Sequence, residues 1–253
     1  MPPLILITND DGVSSPGLRH LARIAKEFGE VVVMAPDRNA SGSSASITCT
    51  RPLHVNLQDH ADGIDYYACD GTPADCVKMG FEHFCPRHPD LLLSGINYGS
   101  NASINIVYSG TMGAVQEGCL NGIQAVGFSL LSHKPDADFN ACTAPIRHII
   151  REVLRQPLPD FTALNVNIPH LPADQIKGIR VCRQARAAWK DSLEKHIAPD
   201  GAPFWTMTGR FVCNDPGHDT DEYCLGMGYV SVVPISPDYT NHGNAIPIKH
   251  LEL

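Results

Sequence analysis

A chain of 253 residues, 43% of them hydrophobic, can bury a core without help from disulfides or a structural metal. Its formal net charge of −8 argues against a nucleic-acid polymer as partner, because binding a phosphate backbone needs a basic face. Nine cysteines without a CxxC pair suit reduced thiols. There is no leader-like start and no apolar run near the roughly 18 residues of a membrane span, so the expectation is a soluble, cytoplasmic protein with no membrane partner.

The first element is Leu4-Ile5-Leu6-Ile7-Thr8, which reads as a buried strand and runs into Asn9, the adjacent carboxylates Asp10 and Asp11, and Gly12. Two neighbouring acids on a continuing strand would point to opposite faces. They converge only if the chain turns, which Gly12 permits. Apolar residues Leu18, Leu21, Ala22, Ile24, Ala25 and Phe28 recur at helical spacing over 16–28. A second buried strand covers 31–36, and a Ser/Gly-rich segment, 37–46, follows it without periodicity. Strands are expected near 52–57 and 64–69, then a helix capped by Thr72 with Pro73 in its first turn. The run 90–95 reads as a strand ending in a turn, followed by a small-residue helix at about 110–121 and a strand at 124–130. A helix over about 139–155 leads to a strand at 162–167. This alternation predicts an α/β fold with a mainly parallel sheet covered on both faces by helices. From about 178 the rhythm breaks, and 185–217, with Trp189, Phe204, Trp205 and Phe211, reads as a protruding hairpin or arm of a single domain. A short helix near 219–225 and a strand at 228–234 return to the body.

Four oxygen-rich segments follow buried strands or open a helix. Asp10 and Asp11 repel each other, and burying both costs free energy unless a cation or proton compensates; Asn9 and Asp10 could equally cap the next helix. Around Ser41, the segment 39–46 offers hydroxyls and N–H groups, though such residues are ordinary in loops. Asn97, in Ser94-Gly95-Ile96-Asn97, carries a neutral oxygen suited to Mg²⁺ or Mn²⁺, or to a turn. Ser109-Gly110-Thr111 opens a helix, where hydroxyls, backbone N–H groups and the helix dipole favour a phosphate; Ser109 alone would serve as an N-cap. In a parallel sheet these segments share one edge. The only His/Cys cluster, His83, Cys85 and His88, fits no common zinc spacing, and neither a Walker pattern nor GxGxxG after the first strand is present.

Taken together, Ile7 to Gly12, Ala35 through Ser43 to Thr48, Gly71 to Val77, Ser94 to Asn101, Tyr108 to Ala114, and Gly228 to Pro234 with Asp238 and Thr240 resemble the SurE (survival protein E) family of metal-dependent 5′/3′-nucleotidases. The likeness spans residue 4 to about 240. It implies a Rossmann-like three-layer αβα sandwich with a C-terminal β-hairpin arm, and a homodimer or homotetramer built through that arm. It also implies one divalent cation per subunit, Mg²⁺ or Mn²⁺, held by Asp10, Asp11, Ser41 and Asn97. The expected reaction is hydrolysis of a nucleoside 5′-monophosphate by metal-activated water, with activity on the 3′ isomer left open. Asp10, Asp11 and Asn97 would form the catalytic centre, and Asn101, Ser109, Gly110 and Thr111 would hold the phosphate.

Two other readings compete. A phospho-accepting receiver domain also has an acid pair after its first strand, but it needs a later phosphorylatable Asp, where this chain has Ser94 and Asn97. It also needs a Lys that 128–132 does not supply. The second rival is a non-catalytic nucleotide-binding regulator.

Overall fold

The computed structural model describes residues 1–134 and 136–241. In chain order the strands are β1 (Leu4–Thr8), β2 (Glu30–Pro36), β3 (Val55–Ala61), β4 (Ile64–Cys69), β5 (Leu91–Tyr98), β6 (Gln124–Leu130), β7 (Ala163–Ile168) and β8 (Ile179–Val181). They are followed by β9 (Ala187–Ile197), β10 (Pro203–Cys213) and β11 (Val230–Ile235). Among the described residues, nine strands form one sheet in the order β3-β4-β2-β1-β5-β6-β7-β11-β8. Neighbours run parallel except at β3–β4 and β7–β11.

Five α-helices are described: α1 (Pro16–Ala25), α2 (Pro73–Met79), α3 (Gly110–Leu120), α4 (Thr143–Arg155) and α5 (Asp221–Gly226). Strand alternation sorts the core into two layers. Ile5, Ile7, Leu91 and Leu93 pack with Leu18 and Leu21 of α1 and Ile146 and Ile150 of α4. Leu6, Met34 and Leu92 face the other way, against Cys76 and Val77 of α2 and Met112 and Val115 of α3. Each such Leu or Ile contributes about 1.5–3 kcal/mol on burial. The result is a mainly parallel sheet covered on both faces, as the alternation predicts, and hence the three-layer αβα sandwich that the family resemblance implies.

Several boundaries differ from the sequence reading. The helix expected over 16–28 closes at Ala25 and tightens into a turn, with Phe28 N donating to Ala25 O at 2.9 Å. The strand expected at 52–57 lies at 55–61 because its register is set by a two-residue hairpin turn, Asp62-Gly63, both at positive φ. Mostly polar and exposed, this edge strand offers little apolar periodicity to read. A short 3₁₀ turn, Asn140–Cys142, precedes α4. β8, three residues long at the sheet edge, has no recognisable sequence signal. The predicted arm is an antiparallel ribbon of β9 and β10, paired from Ala187↔Cys213 to Ile197↔Pro203.

Candidate active site at the switch point of the sheet

From β1 the chain passes through α1 to β2, adds β4 and β3 beyond it, then returns through α2 to β5 on the opposite side of β1. The connections therefore reverse direction between β1 and β5. Ligands of open α/β sheets bind outside the carboxyl ends of the strands at such a point. Asp10 and Asp11 follow β1 there, and Asn97 lies near the end of β5.

The turn after β1 is held by Asn9, whose side chain donates to Gly12 O and accepts from Gly12 N, both at 3.1 Å. Gly12 adopts φ +104°, which an L side chain rarely tolerates. The next loop is anchored to the same turn, with Ala40 N donating to Asp10 O at 2.7 Å and Val13 N to Pro36 O at 2.8 Å. These bonds carry Ser41, exposed and with its N–H donating to Asn39 Oδ1 at 2.8 Å, toward the acid pair. The far side of this loop is fastened by the buried Asp75, which accepts from Thr48 N and, in a capping box, from Thr72 N.

β5 does not end at Gly95 as the sequence suggests. It runs on to Tyr98, with its pairing to β6 shifting between Ser94 and Asn97. Such an irregularity re-aims side chains beside a site. Asn97 is buried, and its amide donates to Gly99 O at 2.9 Å, leaving its carbonyl oxygen as the atom that can meet a cation.

Asp10 is 3% exposed and meets the N-terminus of α3, where Thr111 Oγ1 donates to its Oδ1 at 2.6 Å and the N–H groups of Gly110 and Thr111 also bond it. Burial nevertheless wins over these bonds and raises its pKa. Asp11 is pushed up to about 7, first by burial and then by the charge of Asp10, against a bond from the Tyr98 backbone. Its Oδ2 is buried without a hydrogen-bond partner.

Gly110 is needed for this packing, since a Cβ there would stand 2.7 Å from Ser43 Oγ and 2.8 Å from Asp10 Cβ. Ser43 Oγ is itself buried and unpartnered. Ser109 is the N-cap of α3, its hydroxyl accepting from Met112 N at 3.1 Å, and it keeps one O–H to donate. Thr111 is fully buried, so its hydroxyl serves to position Asp10. Asn101 enters from the β5 side with its amide donating to Ser129 Oγ at 2.8 Å and its backbone N–H donating to Asn167 Oδ1 at 2.8 Å.

Two groups escaped sequence reading. Asn165 and Asn167 form a buried chain behind Asn101, with Asn167 donating to Asn165 Oδ1 and Asn165 to Asn101 O. Their signal was two amides at i and i+2 in an otherwise apolar strand, hence on one face. Ser43 was visible only as part of its loop. Among the described residues, no group of three or more His, Cys, Asp or Glu gathers as a metal cluster, and His88 instead meets the carbonyl of Asn121 at 3.2 Å.

A divalent cation fits the acid-pair site. An orphaned carboxylate oxygen, two mutually repelling acids (Asp10 buried, Asp11 half-buried) and the neutral oxygens of Asn97 and the Ser41 loop make a hard donor set of the kind Mg²⁺ and Mn²⁺ take.

The family profile described as Survival protein SurE matches residues 5–191, most of the chain. The chain belongs to the SurE family. Among SurE relatives, the protein named 5′-nucleotidase SurE in Christiangramia forsetii is 48% identical over 242 residues, covering 95% of this chain and 93% of its own. The 5′-nucleotidase SurE of Bacteroides fragilis is 42% identical, covering 99% and 98%. The crystal structure of the SurE protein from Aquifex aeolicus superposes with a TM-score of 0.86 at 41% identity, covering 99% of this chain and 100% of that one. The SurE fold therefore includes the mostly parallel sheet and the C-terminal hairpin seen here.

Proposed function

We propose that this chain is a metal-dependent 5′-nucleotidase that hydrolyses nucleoside 5′-monophosphates to nucleoside and phosphate. The observation that carries this reading is the acid pair, Asp10 buried and Asp11 half-buried, with an unpaired Asp11 oxygen at the switch point of the sheet. Relatives named 5′-nucleotidase SurE, alike over nearly the whole chain, support the substrate class.

Asp10, Asp11, Ser41 and Asn97 would hold one Mg²⁺ or Mn²⁺. Bound there, the cation would balance the two carboxylates, lower the pKa of a water and offset charge developing on the phosphoryl group. The chain's own groups do the rest. Thr111 and the N–H groups of Gly110 and Thr111 fix the orientation of Asp10, so the site is set before substrate arrives. The free O–H of Ser109 and the second amide hydrogen of Asn101 are donors for the non-bridging phosphate oxygens, and the positive end of α3 favours that anion. The Asn165–Asn167 chain holds Asn101 in place. One carboxylate of the pair accepts the proton of the attacking water.

We further assign the exposed apolar side chains of the arm, among them Leu193, Phe204, Trp205 and Met207, to contact with a second copy of the chain in a homodimer or homotetramer. Reduced cysteines suit a cytoplasmic setting. No helix among the described residues is long and apolar enough to cross a membrane.

Purified protein incubated with adenosine 5′-monophosphate and its 3′ isomer, with Mg²⁺ or Mn²⁺, is expected to release phosphate from the 5′ compound. Chelation stops the release and added metal restores it. Tight nucleotide binding with no turnover under any metal would replace this reading with that of a regulator.

A further inference from the structure

A cavity of about 350 Å³ opens beside the acid pair, lined by Asp11, Ser15, Pro16, Asn39, Tyr98 and His133. The volume lies at the lower end of small-ligand clefts, roughly 300–1,000 Å³. Asp11 is the one member it shares with the proposed metal ligands. The other lining residues are not among the proposed ligands of metal or phosphate, so the cavity extends the site in a direction that hydrolysis of the phosphate ester does not itself require.

Its lining combines ring faces with free polar groups. Two rings contribute, Tyr98 and the exposed His133. The imidazole lies against the backbone of Gly99, where a Cβ would stand only 2.2 Å from His133 Cε1. A glycine at this position therefore makes room for the ring beside the site. Tyr98 is braced from behind by Phe139, edge-on at 5.2 Å between centroids.

The polar groups are equally telling. Ser15 occupies the N-cap of α1, where a serine normally accepts from the helix's first N–H groups, yet its side chain makes no cap bond. Its Oγ is buried without a partner, in a residue 8% exposed. Asn39 Oδ1 is taken by Ser41 N at 2.8 Å, which turns its amide hydrogens outward as donors. A ligand that offers both a flat ring and hydroxyl groups, joined to a phosphate beside Asp11, satisfies all of these at once.

We propose that this cavity receives the nucleoside moiety of the substrate, with His133 and Tyr98 packing on the base and Ser15 and Asn39 meeting its hydroxyls or polar edge. The proposal rests on the nucleotidase reading and names how that site recognises the leaving group. It makes His133 a specificity residue: the ring contributes to holding nucleotides and nothing to the phosphoryl chemistry.

The test compares wild type, His133→Ala and His133→Phe, each with Mn²⁺, on adenosine 5′-monophosphate and on methyl phosphate, which has no base. His133→Ala is expected to raise KM for the nucleotide roughly tenfold, within the range of base–aromatic stacking, with kcat held. Kinetics on methyl phosphate stay unchanged, and His133→Phe restores the nucleotide KM to within about twofold, because every base has a stackable face. Equal losses on both substrates, or no change on either, would overturn the assignment. Binding of adenosine itself, measured by calorimetry, separates the two readings. Adenosine binding weakened by His133→Ala in a protein that turns over neither ester keeps the subsite and removes the nucleotidase. Turnover of both esters with adenosine binding indifferent to His133 does the reverse.

Discussion

Replacing Asp11 with Asn is expected to lower kcat/KM on adenosine 5′-monophosphate on the order of a thousandfold, about 4 kcal/mol of transition-state stabilisation, while leaving the fold intact. The amide is nearly isosteric with the carboxylate but removes one of the two charges that would hold the cation. It also removes a repulsion. In the metal-free protein Asp11 stands half-buried beside Asp10, with a buried oxygen that no donor meets. The same substitution is therefore expected to raise the melting temperature of the metal-free protein near pH 8, although it destroys activity. Opposite movements of activity and stability are what a functional site held at a cost to the fold produces. A variant that lost activity and melting temperature together would show a structural role for Asp11. One that kept full activity with metal present would remove it from the mechanism.

The second large effect concerns pH. In the metal-free protein, burial raises the pKa of Asp10, and burial together with Asp10 pushes Asp11 from 3.8 up to about 7. Between these values the folded chain keeps protons that the unfolded chain has released. The stability that Asp11 contributes is thus fully present below about 4 and is lost as pH rises through about 7, and the raised Asp10 adds to it in the same direction. A bound cation reverses the preference, because it selects the ionised pair. Metal added in large excess over its dissociation constant should raise the melting temperature on the order of 10 °C at pH 8, given about 4 kcal/mol of binding linkage and roughly 2–4 °C per kcal/mol for a chain of this size. The rise should shrink markedly at pH 5.5, where protons compete for the same oxygens. Calorimetric melts at the two pH values, with and without Mn²⁺, measure this. A metal effect as large at pH 5.5 as at pH 8 would place the cation elsewhere.

What could be read from the sequence follows from how local each signal is. β1 and the acid pair were legible because an unbroken apolar run, two adjacent charges and a glycine lie within nine residues, 4–12. The alternation of strands and helices likewise shows in the core, where Ile5 and Ile7 face α1 while Leu6 faces the other layer. The arm was visible as an aromatic stretch without core periodicity, and the hairpin read at 185–217 is the ribbon running from Ala187 to Cys213.

Long-range relations were hidden. The bond from Thr111 to Asp10 spans 101 residues, and local sequence suggested only a helix start, equally suited to cradling phosphate or to capping itself. In the structure Ser109 caps while Thr111 steadies an acid in the turn after β1. The continuation of β5 past Gly95 depends on its pairing with β6, which no residue of 91–98 announces by itself. Nor could the sequence show that His133 lies on Gly99 or that Ser15 leaves its cap bond unmade. The Asp62-Gly63 turn is a different case: its signal was present, and it outweighs the weak apolar pattern of the exposed β3 in setting the strand's position.

We propose above all that one divalent cation is bound by oxygens from the turn after β1, the loop after β2 and the end of β5. Crystals grown with Mn²⁺, with diffraction recorded near the manganese absorption edge, test it most directly. One strong anomalous peak per chain is expected within coordination distance of Asp10, Asp11, Ser41 and Asn97, and it should disappear in Asp11→Asn crystals. A peak held by other residues, or density beside Asp10 and Asp11 without an anomalous signal, would contradict it.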